Sequence, residues 1–278
     1  MKLAAGLNAR DCTSMRAGGR LTSVYAAETT AELTELLQRF ISCRILGGGS
    51  NTIIADGEIA TPVICLGQGF ATVSHAGEIL KAGAALSTPR LLRYCAEHGL
   101  SGLEGLAGIP GQLGGAICMN AGTDGWGILE AITELELVDQ SGRRTIDPAD
   151  LGYSYRDGQL PHGAVVTAAV FRLKQAEPAQ IEAAIRANLN KRSGQPKGFS
   201  SGCIFKNPEG DSAGRLIDSC GFKGARVGGA FVSEAHANFI LNDGTATTAE
   251  IRELIARIKA AVSERYGVSL SEEVKFLV

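Results

Sequence analysis

Apolar residues in the first sixty positions switch between two periods. From 30 to 41, Leu33, Leu36, Leu37, Phe40 and Ile41 recur at helical spacing and predict an amphipathic helix. A strand over 43–46 follows and runs into Gly47-Gly48-Gly49-Ser50-Asn51. Thr52, Ile53 and Ile54 then predict a second strand where a nucleotide-binding helix would otherwise start. Further on, strands are expected at 63–66, 79–84, around 135–138 and at 164–173, the last two flanking a turn at Gln140-Ser141-Gly142. Between them, Thr88 is expected to cap a helix that has Pro89 as its first residue and stops at Gly99.

From Pro178 onward the pattern is mostly helical. Ile181, Ile185 and Leu189 line one face of a helix over 178–192. Thr247 and Glu250 form a capping box ahead of a long helix that carries Ile251, Leu254, Ile255, Ile258 and Val262 inward and stops at Gly267. A strand over 273–277 comes last. With both strands and helices along the chain, an α+β fold is expected.

Glycines punctuate the middle of the chain. Gly99, Gly102, Gly105, Gly108, Gly111 and Gly114 recur every third residue, with Leu, Ile, Ala and a single proline, Pro110, among the positions between. So short a run with so little proline excludes a collagen helix. It fits a backbone that turns sharply beside a ligand. The earlier loop, 47–51, is either a plain tight turn or a concavity of N–H groups suited to phosphate. It is neither a Rossmann fingerprint, which needs a third glycine and a following helix, nor a Walker loop, which needs Gly-Lys-Ser/Thr. Two charge-free glycine loops, 47–51 and 108–116, together suit an extended dinucleotide.

Composition narrows the classes. A net charge of -2 over 278 residues, with no Lys/Arg block, argues against nucleic-acid binding. No apolar run reaches the ~20 residues of a membrane helix, and the first eleven residues lack a signal-peptide core, so a cytoplasmic protein is expected. Seven cysteines, an odd number without C-x-x-C, fit a reducing compartment and neither a disulfide framework nor a zinc site; most are expected to be small buried hydrophobes. No metal and no protein partner is predicted.

The chain resembles, nearly end to end, the UDP-N-acetylenolpyruvoylglucosamine reductase family, within the superfamily of FAD-binding domains shared by vanillyl-alcohol oxidase and p-cresol methylhydroxylase. The segments that carry the resemblance are Met15-Arg16-Ala17-Gly18-Gly19, 46–51, 103–122 and Tyr153-Ser154-Tyr155-Arg156-Asp157, followed by 202–208, 213–218, His236-Ala237-Asn238-Phe239-Ile240 and Glu273-Val274-Lys275. It implies a two-lobed FAD-binding domain, with lobes at 1–60 and 61–175, then a substrate-binding α+β domain at 176–278. FAD would be held non-covalently, since no His lies beside 47–51, by Gly47, Gly48, Gly49, Ser50, Asn51, Ile109, Pro110, Gly111, Gly114, Gly115, Ala116, Asn120 and Gly122. NADPH would be the reductant and a nucleotide sugar bearing an enolpyruvyl ether the substrate, taking turns at one flavin face. The connection over 157–200 resembles the compact subgroup, which lacks a tyrosine-bearing insertion.

The family reaction reduces a vinyl ether next to a carboxylate. It needs stabilisers for an enolate and a proton donor for the carbon beside it. The resemblance assigns stabilisation to Arg156 and Glu273, the latter in a Leu270-Ser271-Glu272-Glu273-Val274 segment where the family has Leu-Glu-Pro-Glu-Val. It assigns protonation to Cys203, in Gly202-Cys203-Ile204-Phe205-Lys206-Asn207-Pro208, where the family usually has serine. A thiol is a better acid than a hydroxyl, with a free pKa of about 8.5. Tyr155, Lys206, Asn207, Arg215 and Lys275 are candidates for positioning the substrate, while His236 and Trp126 read as structural. Two alternatives remain: another oxidase of the superfamily, or a non-catalytic regulator that binds flavin or nucleotide sugar.

Overall fold

A computed structural model describes residues 2–4 and 6–278. The chain divides into two units, and both draw on its N-terminal quarter. Of the described residues, the first holds 2–4, 24–48 and 62–193; the second holds 6–23, 49–61 and 194–278.

In the first unit, five antiparallel strands lie in the order Gly142–Ile146, Ile132–Asp139, Val165–Arg172, Ile79–Gly83 and Val73–Ala76. Alternation sorts their faces: Leu80 and Ala82 are buried, whereas Ile79 and Lys81 are exposed. The buried face packs with Leu91, Leu92 and Cys95 of the helix Thr88–Glu97 and with Leu113 and Ile117 of a short helix, Leu113–Cys118. A second sheet orders Lys2–Ala4, Val24–Ala27, Val63–Leu66 and Arg44–Ile45. Against Ala27 and Ile64 pack Leu33, Leu36 and Leu37 of the helix Thr30–Arg39, which Thr29 caps by accepting the Glu32 N–H at 3.2 Å.

The second unit is built on the helix Thr248–Tyr266. Ile251, Leu254, Ile255, Ile258 and Val262 are all buried there, as the period predicts, against Ile204, Phe205, Leu216, Val232 and Ile240. The capping box of Thr247 with Glu250 is formed, and Gly267 ends the helix with φ +67°. Asp56 supplies a second cap, accepting the N–H groups of Thr248 at 2.9 Å and Ala249 at 2.8 Å. Lys275–Leu277 pairs in parallel with Thr52–Ile54, the strand expected after the first glycine loop.

Some expectations need correction. The helix at 30–41 stops at Arg39, which leaves Ile41 88% exposed. Ser87, in extended backbone, precedes the helix Thr88–Glu97, and the Thr88 hydroxyl donates instead to the Ile109 carbonyl at 2.6 Å. The helix Pro178–Lys191 buries Ile181 but exposes Leu189. Among the seven cysteines only Cys95 is buried, its thiol pushed up to about 12, first by burial and then by Glu104; Cys118 is exposed and the other five are half-buried. The helices Leu113–Cys118 and Ala213–Ser219 had no helical signal in the sequence pattern, the first because two glycines sit inside it.

Candidate active site

The second glycine loop is tied along its length to the chain ahead of it. Thr88 donates its N–H to the Gly111 carbonyl at 3.1 Å, Leu113 N–H reaches Leu86 at 2.9 Å, and Gly114 N–H reaches Ala84 at 2.8 Å. Gly111 has φ +114° and Gly108 +79°, values that glycine adopts without strain. Gly105 is there for another reason: a Cβ would stand 2.6 Å from the Trp126 ring, so Trp126 packs on bare backbone.

The first loop meets the second through glycine as well. A Cβ on Gly48 would lie 3.0 Å from the Gly111 Cα and 3.3 Å from the Gln112 nitrogen. Among the described residues, no hydrogen bond takes up the N–H groups of Gly47 or Gly48. Gly115 is exposed, with nothing within 4 Å of where its Cβ would be. Unclaimed donors and open backbone in loops without charged side chains fit a dinucleotide cofactor.

Arg156 lies in the same unit, in a turn closed by Ser154 N–H to Asp157 at 2.9 Å and Asp157 N–H to Ser154 at 3.1 Å. Its φ is +57°, left-handed backbone that costs a non-glycine residue about 1 kcal/mol or more. Its guanidinium lies 5.1 Å from the centre of the exposed Tyr155 ring. The turn is fastened to the end of the glycine loop. Buried Asn120, itself at φ +40°, donates to the Ser154 carbonyl at 3.1 Å and accepts the Leu129 N–H at 3.2 Å. Gly158 N–H donates to Cys118 at 3.0 Å, where a Cβ would meet the Ile117 oxygen at 2.6 Å.

In the second unit, the segment from Cys203 to Lys206 runs between two others. On one edge Cys203 stands antiparallel to Phe239, and Ile204 N–H donates to the Asn238 carbonyl at 2.9 Å. On the other edge Glu273 N–H donates to the Ile204 carbonyl at 2.8 Å, and Lys206 N–H to Ser271 at 2.9 Å. Ile204 and Phe205 are buried; Cys203 and Glu273 are each half-buried. The two residues expected to donate the proton and to stabilise the enolate therefore share one patch of backbone. Neighbouring Glu272 is engaged by Lys259 at 3.0 Å, and Val274 is buried.

The positioning candidates differ in what already occupies them. Arg215 forks onto Asp211, with Nε 2.7 Å from Oδ1 and a second contact from Nη2 to Oδ2. That pairing, with the Ser212 N–H behind it, holds the Asp211 carboxyl down to about 2. Asn207 accepts the Ala213 N–H at 3.1 Å and so helps start the helix Ala213–Ser219. Lys206 is half-buried and Lys275 exposed on its strand. His236 Nδ1 accepts the Asn238 N–H at 3.2 Å, and burial pushes its pKa down, which favours that acceptor role. Sequence reasoning passed over Asn238 and Asn242, both buried amides that bond to distant backbone, because an asparagine between apolar residues has no distinguishing period.

The match to known domains and relatives makes the chain an FAD-dependent reductase. Residues 22–146 match the model of an FAD binding domain, and residues 195–277 match that of the UDP-N-acetylenolpyruvoylglucosamine reductase C-terminal domain. The UDP-N-acetylenolpyruvoylglucosamine reductase of Geobacter metallireducens is 40% identical over 271 residues, covering 95% of this chain and 90% of its own; that of Alkalilimnicola ehrlichii is 41% identical over 268 residues, covering 94% and 90%. The crystal structure of the Thermus caldophilus enzyme superposes with a TM-score of 0.89 at 38% identity, covering all of both chains. The chain belongs to the UDP-N-acetylenolpyruvoylglucosamine reductase family. No described helix is long and apolar enough to cross a membrane.

Proposed function

We propose that this protein reduces the enolpyruvyl ether of UDP-N-acetylenolpyruvoylglucosamine to UDP-N-acetylmuramate with NADPH, in the cytoplasmic synthesis of peptidoglycan precursors. The observation that carries the reading is the 2.8 Å bond from Glu273 N–H to the Ile204 carbonyl, which joins the backbone of residue 273 to the segment bearing Cys203. Gly47 to Asn51, Ile109 to Gly111, Gly114 to Ala116, Asn120 and Gly122 would hold FAD, which when bound would supply the redox chemistry between NADPH and the substrate.

The residues of this chain do the rest. Arg156 supplies a fixed planar cation for the substrate carboxylate, and its left-handed backbone aims a side chain that an ordinary turn would point elsewhere. Glu273, protonated, donates a hydrogen bond to the enolate oxygen as charge gathers there. The Cys203 thiol gives its proton to the carbon next to the carboxylate and is left as thiolate, to be reprotonated from solvent. Lys206, Asn207, Arg215, Tyr155 and Lys275 orient the nucleotide sugar; Arg215 already carries a carboxylate partner, so its part is the most conditional on rearrangement.

The test is NADPH oxidation by the FAD-loaded protein in the presence of the enolpyruvyl nucleotide sugar, with product identified by mass. Flavin that is reduced by NADPH but never reoxidised by this substrate would overturn the reading in favour of another oxidoreductase of the superfamily.

A further inference from the structure

Asn238 makes three hydrogen bonds to two consecutive residues. Its carbonyl accepts the Ile204 N–H at 2.9 Å, its Oδ1 accepts the Phe205 N–H at 2.9 Å, and its Nδ2 donates to the Phe205 carbonyl at 2.8 Å. A primary amide presents an acceptor and a donor on one edge, as a neighbouring peptide would in a sheet. Here the backbone opposite Phe205 has turned away, with Phe239 N–H bonded back to His236 at 3.0 Å, and the side chain takes the place of the missing strand. Asn238 is 3% exposed, and its backbone N–H is held by His236 Nδ1, so the main chain that carries the side-chain amide is itself tied.

The consequence falls on Cys203. The residue before it, Gly202, takes left-handed backbone at φ +76°, with nothing within 4 Å of where a Cβ would be. Beyond it, the Ile204 carbonyl and the Lys206 N–H are tied to the segment 271–273. On the opposite edge, Asn238 holds the Ile204 N–H with its backbone carbonyl and both polar groups of Phe205 with its side chain. We infer that Asn238 is a positioning residue for protonation: its amide clamp holds the backbone that aims the Cys203 thiol at the substrate carbon. The inference rests on Cys203 being the proton donor.

The two half-reactions separate clamp from fold. NADPH reduction of the FAD-loaded enzyme does not use Cys203; reoxidation by the enolpyruvyl substrate does. Asn238→Ser, which keeps the backbone bond and loses the amide, should reduce flavin within a few-fold of the wild-type rate and reoxidise it about 10–100-fold more slowly, the range expected for a catalytic group displaced by about 1 Å. In a Cys203→Ala background the same change should add less than about 2-fold, because the clamp then has nothing to aim. Equal slowing of both half-reactions, or a full additional loss in the double variant, overturns the inference.

A Cys203→Ala enzyme that incorporates solvent deuterium stereospecifically at wild-type speed would instead remove the donor reading, and with it the role assigned to the clamp. Amide hydrogen exchange decides the structural half without turnover. In Asn238→Ser, the Phe205 amide should exchange at least about 10-fold faster while amides within Thr248–Tyr266 keep their protection, a loss of about one hydrogen bond. Unchanged exchange at Phe205 would show that the amide holds nothing. Asn238→Asp, which keeps the acceptor and repels the Phe205 carbonyl, serves where the serine variant fails to fold and should give the same split between half-reactions.

Discussion

Asn51 closes a ring of hydrogen bonds with the strand end that carries Glu273: its side-chain amide donates to the Glu273 carbonyl at 3.1 Å, and its carbonyl accepts the Lys275 N–H at 3.0 Å. The last residue of the first glycine loop thus fixes the glutamate assigned to the enolate. Asn51→Ala should lower stability by about 1–3 kcal/mol, the cost of an amide bond lost with its partner left behind. It should also slow flavin reoxidation by substrate more than reduction by NADPH. Thermal melts and rapid-mixing absorbance would report the two effects separately.

Arg156 offers a substitution whose two effects have opposite signs. Arg156→Gly relieves left-handed backbone at φ +57° and should stabilise the protein by roughly 1 kcal/mol. The same change removes the cation and should cost about 10²–10³ in the reoxidation step. A variant that melts higher and turns over at wild-type rate would place Arg156 outside the site.

Gly115 separates folding from cofactor binding. A methyl there meets nothing within 4 Å, and alanine suits the helix Leu113–Cys118 better by up to about 1 kcal/mol. The FAD-free protein should therefore be as stable or more stable with Gly115→Ala, while FAD affinity, measured by fluorescence titration, should fall. Unchanged affinity would move the flavin away from Gly115. Gly48→Ala should damage both, since its Cβ would press on the Gly111 and Gln112 backbone.

Cys203→Ser should retain substantial turnover, because a hydroxyl can also donate. A thiol is a stronger acid than a hydroxyl and gives up its proton first as pH rises, so wild-type activity should fall on the alkaline side where the serine variant does not. Alkylating reagents should inactivate the wild type and spare the serine variant. Matching alkaline limbs in both enzymes would exclude Cys203 as the acid.

Acid should weaken the second unit through its depressed carboxyls. Asp243 is held down to about 2 by hydrogen bonds, first from Thr245 and then from Arg226, and Asp211 to about 2 by Arg215. Both lie below the ordinary 3.8, so their contribution is complete above about pH 4 and is lost as pH falls towards 2. Denaturant midpoints measured from pH 6 to pH 2 should drop over that interval. In Asp243→Asn the drop should be shallower.

Local pattern alone determined much of this molecule. The faces of the helices Thr30–Arg39 and Thr248–Tyr266 and the capping box of Thr247 and Glu250 follow from spacing, because a helix buries residues three and four apart whatever lies beyond it. The glycine runs at 47–51 and 99–114 are legible as tight backbone, since glycine takes left-handed angles and close approaches without strain. The resemblance of ordered motifs supplied the family and the residues to examine.

Tertiary structure alone decided how those residues are held. No spacing rule pairs Gly48 with Gly111, Asn120 with the Ser154 turn, or Asn238 with Phe205 thirty-three positions away. Such contacts join groups distant in the chain, and their partners are backbone atoms, which every residue possesses and no sequence marks. The same holds for the division of the chain: 6–23 and 49–61 join the unit of 194–278 through parallel pairing of Thr52–Ile54 with Lys275–Leu277 and the cap that Asp56 lends to Thr248. Periodicity says which face of an element is buried; which other element covers it is settled only when distant backbone donors and acceptors find each other.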